Sequence, residues 1–130
     1  MRHIRDQDQD LEHWRDGVRT RMFSSAQSGA CQLTMFEQWC DPGHGAPTHV
    51  HVVEEILRVL GGQAEIWVAG ERRAVLPGES VIVPAGVEHG FVNTGSEVLH
   101  TLAVLAEPIF EARYVDSGLD VRRWTTRQDG

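Results

Sequence analysis

Lysine is absent from this sequence of 130 residues and tyrosine occurs once, as Tyr114, so no lysine or tyrosine motif offers a general base. Cysteine is nearly absent as well. Cys31 and Cys40 stand alone without a secretory context, which predicts reduced thiols packed as small apolar side chains rather than a bridge. Every apolar run is far shorter than the roughly 18 consecutive residues that a membrane-spanning helix requires, so no bilayer crossing is expected. Basic charge is scarce: 12 arginines face 19 acidic residues, a formal net charge of −7 with histidine neutral, which argues against a phosphate-backbone partner and hence against nucleic acid. The opening stretch MRHIRDQDQDLEHWRD carries charges where a secretory signal needs an apolar core, so a cytoplasmic location is the default expectation.

What is present is the text of an all-β protein. Short runs rich in Val, Ile, Thr and aromatics are punctuated by Gly and Pro, with no solenoid period and no low-complexity tract. Strands are predicted near 18–24, 31–39, 48–60, 63–68, 72–76, 80–83, 88–93 and 98–106. Ala69-Gly70 has the form of a tight hairpin, and Pro77-Gly78 and Pro84-Ala85-Gly86 mark further reversals. So many short strands imply a sandwich or a barrel, and closure removes the exposed edges they would otherwise leave. The length fits one domain over 1–130. Residues 1–16, anchored by Ile4, Leu11 and Trp14, are expected to cover it as a short strand or helix, and the last dozen residues are expected to form a loosely held tail.

Three of the seven histidines carry a chemical pattern. Side chains two apart on a strand share a face, so His49 and His51 point the same way, with Val53, Glu55, Leu57 and Val59 in phase. Parity therefore selects Glu55 over Glu54 as the carboxylate able to join the two imidazoles. His89 follows on a later strand, with Phe91 and Asn93 on its face. Three imidazoles and a carboxylate facing inward are costly to bury alone, and one divalent cation satisfies all four. The mixed nitrogen and oxygen set suits Fe, Mn, Ni, Co, Cu or Zn, and affinity alone does not choose among them.

The spacing around these residues resembles the cupin superfamily. Its first motif is matched by Gly43, His49, His51, Glu55 and Gly62, and its second by Gly78, Pro84, Gly86, His89 and Asn93, without a gap. The resemblance extends over roughly residues 14–106. It implies a double-stranded β-helix, or jelly-roll barrel, as a single cupin domain with one divalent transition metal bound by His49, His51, Glu55 and His89. It also implies homodimers, with terminal strands exchanged between copies as a use for the N-terminal segment. Asn93 is expected to be a strand-end residue rather than a ligand. Arg58 departs from the aromatic residue frequent at its position and is expected to face outward.

Four protein ligands on an ion that favours six leave adjacent positions open, which is the mark of a reactive site and not a closed structural one. Inward Leu57 and Phe91 are expected to supply apolar walls for a small oxygen-bearing ligand or substrate. Dioxygenase-type oxidoreductase chemistry is the first expectation. A metal-dependent isomerase or lyase, and a non-enzymatic module for a sugar or small metabolite, are the alternatives. His44 is read as a loop residue near the barrel mouth, Tyr114 and the C-terminal arginines as surface residues, and His3, His13 and His100 receive no role.

Overall fold

Alternating burial runs the length of Leu99–Leu105, where Leu99, Thr101, Ala103 and Leu105 are buried and His100, Leu102 and Val104 less so. This is the period-two signature of a strand with one face on a core. The computed structural model describes residues 1–126. Its strands are β1 (Leu11–Arg15), β2 (Val18–Ser24), β3 (Thr34–Cys40), β4 (Gly45–Val50), β5 (Glu55–Gly61) and β6 (Ala64–Val68), followed by β7 (Glu71–Val75), β8 (Ser80–Val83), β9 (His89–Asn93), β10 (Leu99–Leu105), β11 (Phe110–Tyr114) and β12 (Asp120–Arg123). They form two six-stranded antiparallel sheets, ordered β1-β2-β3-β10-β5-β8 and β12-β11-β4-β9-β6-β7. The two inner faces enclose the core of a jelly roll. Among the described residues no helix is long and apolar enough to cross a membrane.

Turn chemistry places the strands. Ala69 and Gly70 both have positive φ, 51° and 83°, and close the β6–β7 hairpin with Val68 opposite Glu71. Gly62 has φ 76°, and a Cβ there would lie 2.8 Å from the Val98 carbonyl oxygen, so both its conformation and its space demand glycine. Asn93 closes the end of β9 as expected. Buried at 2 % exposure, it donates to the carbonyls of Cys40 and Glu97 and accepts from the Gly95 amide. Arg58 lies on the outer face and donates to Ser80 Oγ at 2.9 Å.

Two expectations are corrected. The single strand expected over 48–60 is two strands in different sheets, β4 and β5, joined by a turn at residues 51–54. The C-terminal stretch is no loose tail up to residue 126: β11 pairs with β4 and β12, and Trp124 is buried at 7 % exposure. Residues 127–130 lie outside the described part. The barrel thus continues past 106. Within the chain, β1 pairs with β2 at the edge of its sheet, so the N-terminal segment covers the barrel as a strand.

Aromatic packing ties the ends to the barrel. Trp14 of β1, Phe36 of β3, Phe110 of β11 and Trp124 form one cluster with ring centroids 4.9–5.9 Å apart. The Trp124 indole N–H donates to Glu12 Oε2 at 2.8 Å, which stitches the C-terminal strand to β1. Residues distant in sequence thereby floor one interior, and β11 comes to lie against His49 of β4.

Candidate metal centre

His49 on β4 and His89 on β9 are direct register partners, so both rings leave neighbouring strands on the same inner face. Their centroids are 4.2 Å apart. Close approach of these strands depends on Gly45, where a Cβ would fall 2.2 Å from the Phe91 carbonyl oxygen. His51 sits in the turn after β4 and Glu55 opens β5 in the opposite sheet. The Gly86 amide donates to the His51 carbonyl at 2.8 Å, which anchors the turn to the loop before β9. Inward parity survives the break between sheets: His49, His51, Glu55 and Leu57 are buried, and Val52, Glu54 and Ile56 are exposed.

All four side chains are 1–5 % exposed, and one donor atom from each lies within 4.8 Å of the others. Every histidine has its Nδ1 against a backbone carbonyl: His49 against Pro47 at 2.7 Å, His51 against Glu111 at 2.6 Å, His89 against Val87 at 2.9 Å. A carbonyl only accepts, so Nδ1 carries the proton in each ring and Nε2 presents a lone pair. Burial, followed by the neighbouring His89 and His51 imidazoles, pushes His49 well below the usual histidine range despite its bond to Pro47. Burial also lowers His51, against the opposing pull of Glu55 and the Glu111 carbonyl. Neutral rings are the state that ligates.

Hydrogen bonds within the cluster do not satisfy its donor set. His89 Nε2 is 3.0 Å from Glu55 Oε1, and His51 Nε2 is 3.7 Å from Glu55 Oε2, yet both ring nitrogens are buried without a hydrogen bond. Lone pairs of imidazole and carboxylate facing one another at that separation repel unless a cation or a shared proton stands among them. The residues therefore fit a divalent ion, and carbonyl bonds at Nδ1 are of the kind that orients histidine where it ligates a metal. Neither thiol contributes: Cys31 is exposed, Cys40 is buried in the core, and both are free.

A cavity opens over the cluster. Leu57 and Phe91 are on its wall, with Phe36, Phe110, Trp14 and Ala103 as further apolar lining. Its polar lining beyond the four clustered residues is Arg15, Gln38 and Tyr114, none of which the sequence reading had placed there. Tyr114, read as a surface residue, has its ring 5.5 Å from that of His49. Its position at the end of β11, directly before the turn toward β12, carried no spacing signal. His44 is exposed in its loop, with its ring over Gly17. His100 lies outside the cavity, stacked on Trp39 with Nε2 3.0 Å from Glu37 Oε2.

A two-sheet jelly roll with three histidines and a glutamate gathered inside defines a class of small barrel proteins built around an interior polar site. The chain belongs to the cupin family, whose cupin domain model matches residues 37–105. Auxin-binding protein 1 of Arabidopsis thaliana is 28% identical over 119 residues, covering 83% of this chain. The match takes in 59% of that protein, so the chain spans about three fifths of the length of this curated relative. Among solved structures, the polyketide cyclase RemF from Streptomyces resistomycificus is 26% identical with a TM-score of 0.73, covering 88% of this chain and 85% of its own. The oxalate decarboxylase of Lactobacillus farciminis, as its formate complex, has a TM-score of 0.75 at 20% identity, over 83% of this chain and 34% of its own, a likeness of fold.

Proposed function

We propose that His49, His51, Glu55 and His89 hold one divalent transition metal ion and that the chain is a mononuclear metal-dependent enzyme acting on a small oxygen-bearing organic molecule. Dioxygenase-type oxidation is the leading reaction class. The observation that carries this reading is the pair of buried, unpartnered Nε2 atoms of His51 and His89 facing the Glu55 carboxylate. When bound, such an ion supplies Lewis-acid polarisation of a substrate oxygen and, as iron, electron transfer with dioxygen. The chain's own part is orientation and exclusion. Pro47, Glu111 and Val87 fix the three rings through their Nδ1 protons, and the aromatic wall keeps bulk water from the interior.

The similarity to auxin-binding protein 1 favours a second reading, a module that binds a small metabolite without turnover. The similarity to a polyketide cyclase favours isomerase or lyase chemistry. Elemental analysis of the purified wild type beside His89→Ala, followed by oxygen-uptake assays, separates these. About one equivalent of metal lost in the variant supports the site, and iron with substrate-dependent oxygen uptake supports the oxygenase. A metal-free wild type that takes up none of iron, manganese, nickel, cobalt, copper or zinc defeats the reading.

We also infer a homodimer. The outer face of the β5–β8 pair leaves Ile56, Leu60 and Ile82 at 41–64 % exposure, an apolar surface that a second copy would cover. Light scattering on the purified protein decides between one chain and two.

A further inference from the structure

The geometry points to Arg15 as the residue that recognises a carboxylate on the ligand, holding it over the metal centre. This rests on the proposed metal site and names the ligand class it would serve: small organic carboxylates.

Regular strands send successive side chains to opposite faces, but Trp14 and Arg15 both line the same cavity. The cause is a β-bulge. Pairing of β1 with β2 runs in step from Leu11 to His13 and then shifts before Arg15, which pairs with buried Val18. A bulge gives up ladder pairing to re-aim a side chain, and here the side chain re-aimed into an aromatic-lined interior is a guanidinium.

The electrostatics of the cavity leave that guanidinium without a counter-charge. Glu55 is the one acidic residue on the cavity wall, and it faces the histidines. Among the described residues Arg15 forms no ion pair; its partners are the neutral Gly45 carbonyl, from Nε at 2.9 Å, and the Tyr114 hydroxyl, from Nη1 at 3.2 Å. With a divalent ion in place, one carboxylate stands against an ion and a guanidinium, so the interior carries excess positive charge that attracts an anion. A half-buried guanidinium is stabilised most by a planar, two-oxygen acceptor that matches its fork.

Tyr114 holds the place of that acceptor. About 20 Å³ of the cavity is free, where one water needs roughly 10–15 Å³, so it has room for one or two waters until the residues at its mouth move. An arriving carboxylate replaces the phenol oxygen at Nη1. Arg15 thus positions the ligand, and Tyr114 is the group it leaves.

The test is calorimetric titration of the metal-loaded and metal-free protein with acetate, pyruvate, oxalate and benzoate, and with acetamide and benzamide as uncharged counterparts. Wild type, Arg15→Gln, Arg15→Lys and Tyr114→Phe are compared, with metal content and thermal midpoint measured on the same samples. At least one carboxylate should bind wild type about tenfold or more tighter than an amide, and Arg15→Gln should lose about tenfold of that preference while keeping its metal. Arg15→Lys, which keeps charge and length but not the fork, should fall between them and decides the matter if the Gln variant fails to fold. Tyr114→Phe should bind at least as tightly as wild type. An unchanged preference in the folded Arg15 variants, or a wild type that prefers none of these carboxylates, overturns the inference. A wild type that holds no metal defeats the metal reading separately, and the metal-free titrations then judge Arg15 alone.

Discussion

The Nδ1 proton of His51 is given to the carbonyl of Glu111, 60 residues further along the chain, at 2.6 Å. One of the four clustered side chains is therefore oriented by β11, a strand outside the matched cupin domain. Phe110, the neighbouring residue on that strand, packs edge-on to the same ring at 5.4 Å and is 3 % exposed.

Phe110→Ala is expected to cost about 3–5 kcal/mol of stability, because it empties the centre of the aromatic cluster and the surrounding rings relax only in part. Metal affinity should fall with it as His51 loses its support. Urea unfolding followed by tryptophan fluorescence, with metal content on the same samples, measures both; a loss below about 1 kcal/mol would show that the cluster does not brace the site.

His51→Ala and Glu55→Ala are expected to lose bound metal and keep the barrel, since most of the core is apolar and independent of the ion. Chelation should act the same way. The far-ultraviolet spectrum of a β-protein should persist, and stability should drop by the linkage term, about 2.7 kcal/mol where the free metal stood at a hundred times its dissociation constant. Full metal stoichiometry in either variant would remove it from the ligand set, and unfolding on chelation would make the ion structural.

The metal-free protein should lose stability as pH falls through the histidine range. Burial holds His49 and His51 below their usual 6.5, so the unfolded chain takes up protons near that pH before the folded one does. More protons on the unfolded state means that stability is fully present above 6.5 and declines below it. Urea midpoints at pH 8 and pH 5.5 should differ in wild type and converge in a His49→Phe, His51→Phe double variant. Equal midpoints in the wild type would mean that the rings protonate freely inside the barrel.

The two cysteines should respond differently. Burial raises the Cys40 thiol from 9.0 to about 11, and its residue is 0 % exposed; Cys31 is exposed. A thiol reagent at pH 8 should label Cys31 in the native protein and reach Cys40 only after unfolding. The unfolded thiol ionises from about pH 9 upward while the folded one stays protonated, so stability falls between pH 9 and 11, by about 2–3 kcal/mol in all. Cys40→Ala should flatten that part of the profile; an identical alkaline decline in the variant would assign it to other groups.

Much of this structure was legible in the sequence, for reasons particular to its residues. His49, His51 and Glu55 keep odd-numbered parity across the turn at 51–54, so period two brought them together although they stand in different sheets. The turn itself was hidden because that parity continues through it unbroken. Strands β1, β11 and β12 read LEHWR, FEARY and DVRR, rich in charge and with little apolar weight, and so resembled covering or tail segments. Arg15 could not be found by alternation at all. The bulge that turns it inward breaks the rule by which an inward residue is recognised.

That bulge also determines how relatives of this barrel should be compared. A chain with arginine at the matching place but one residue fewer before the Asp16-Gly17 corner would send it to solvent, while a chain with a different residue there but the same extra step would still deliver that residue to the lumen. Grafting the specificity of one such barrel onto another would therefore mean moving the whole Glu12–Val18 corner with its irregular pairing, because changing the side chain alone would leave the direction of the backbone as it was.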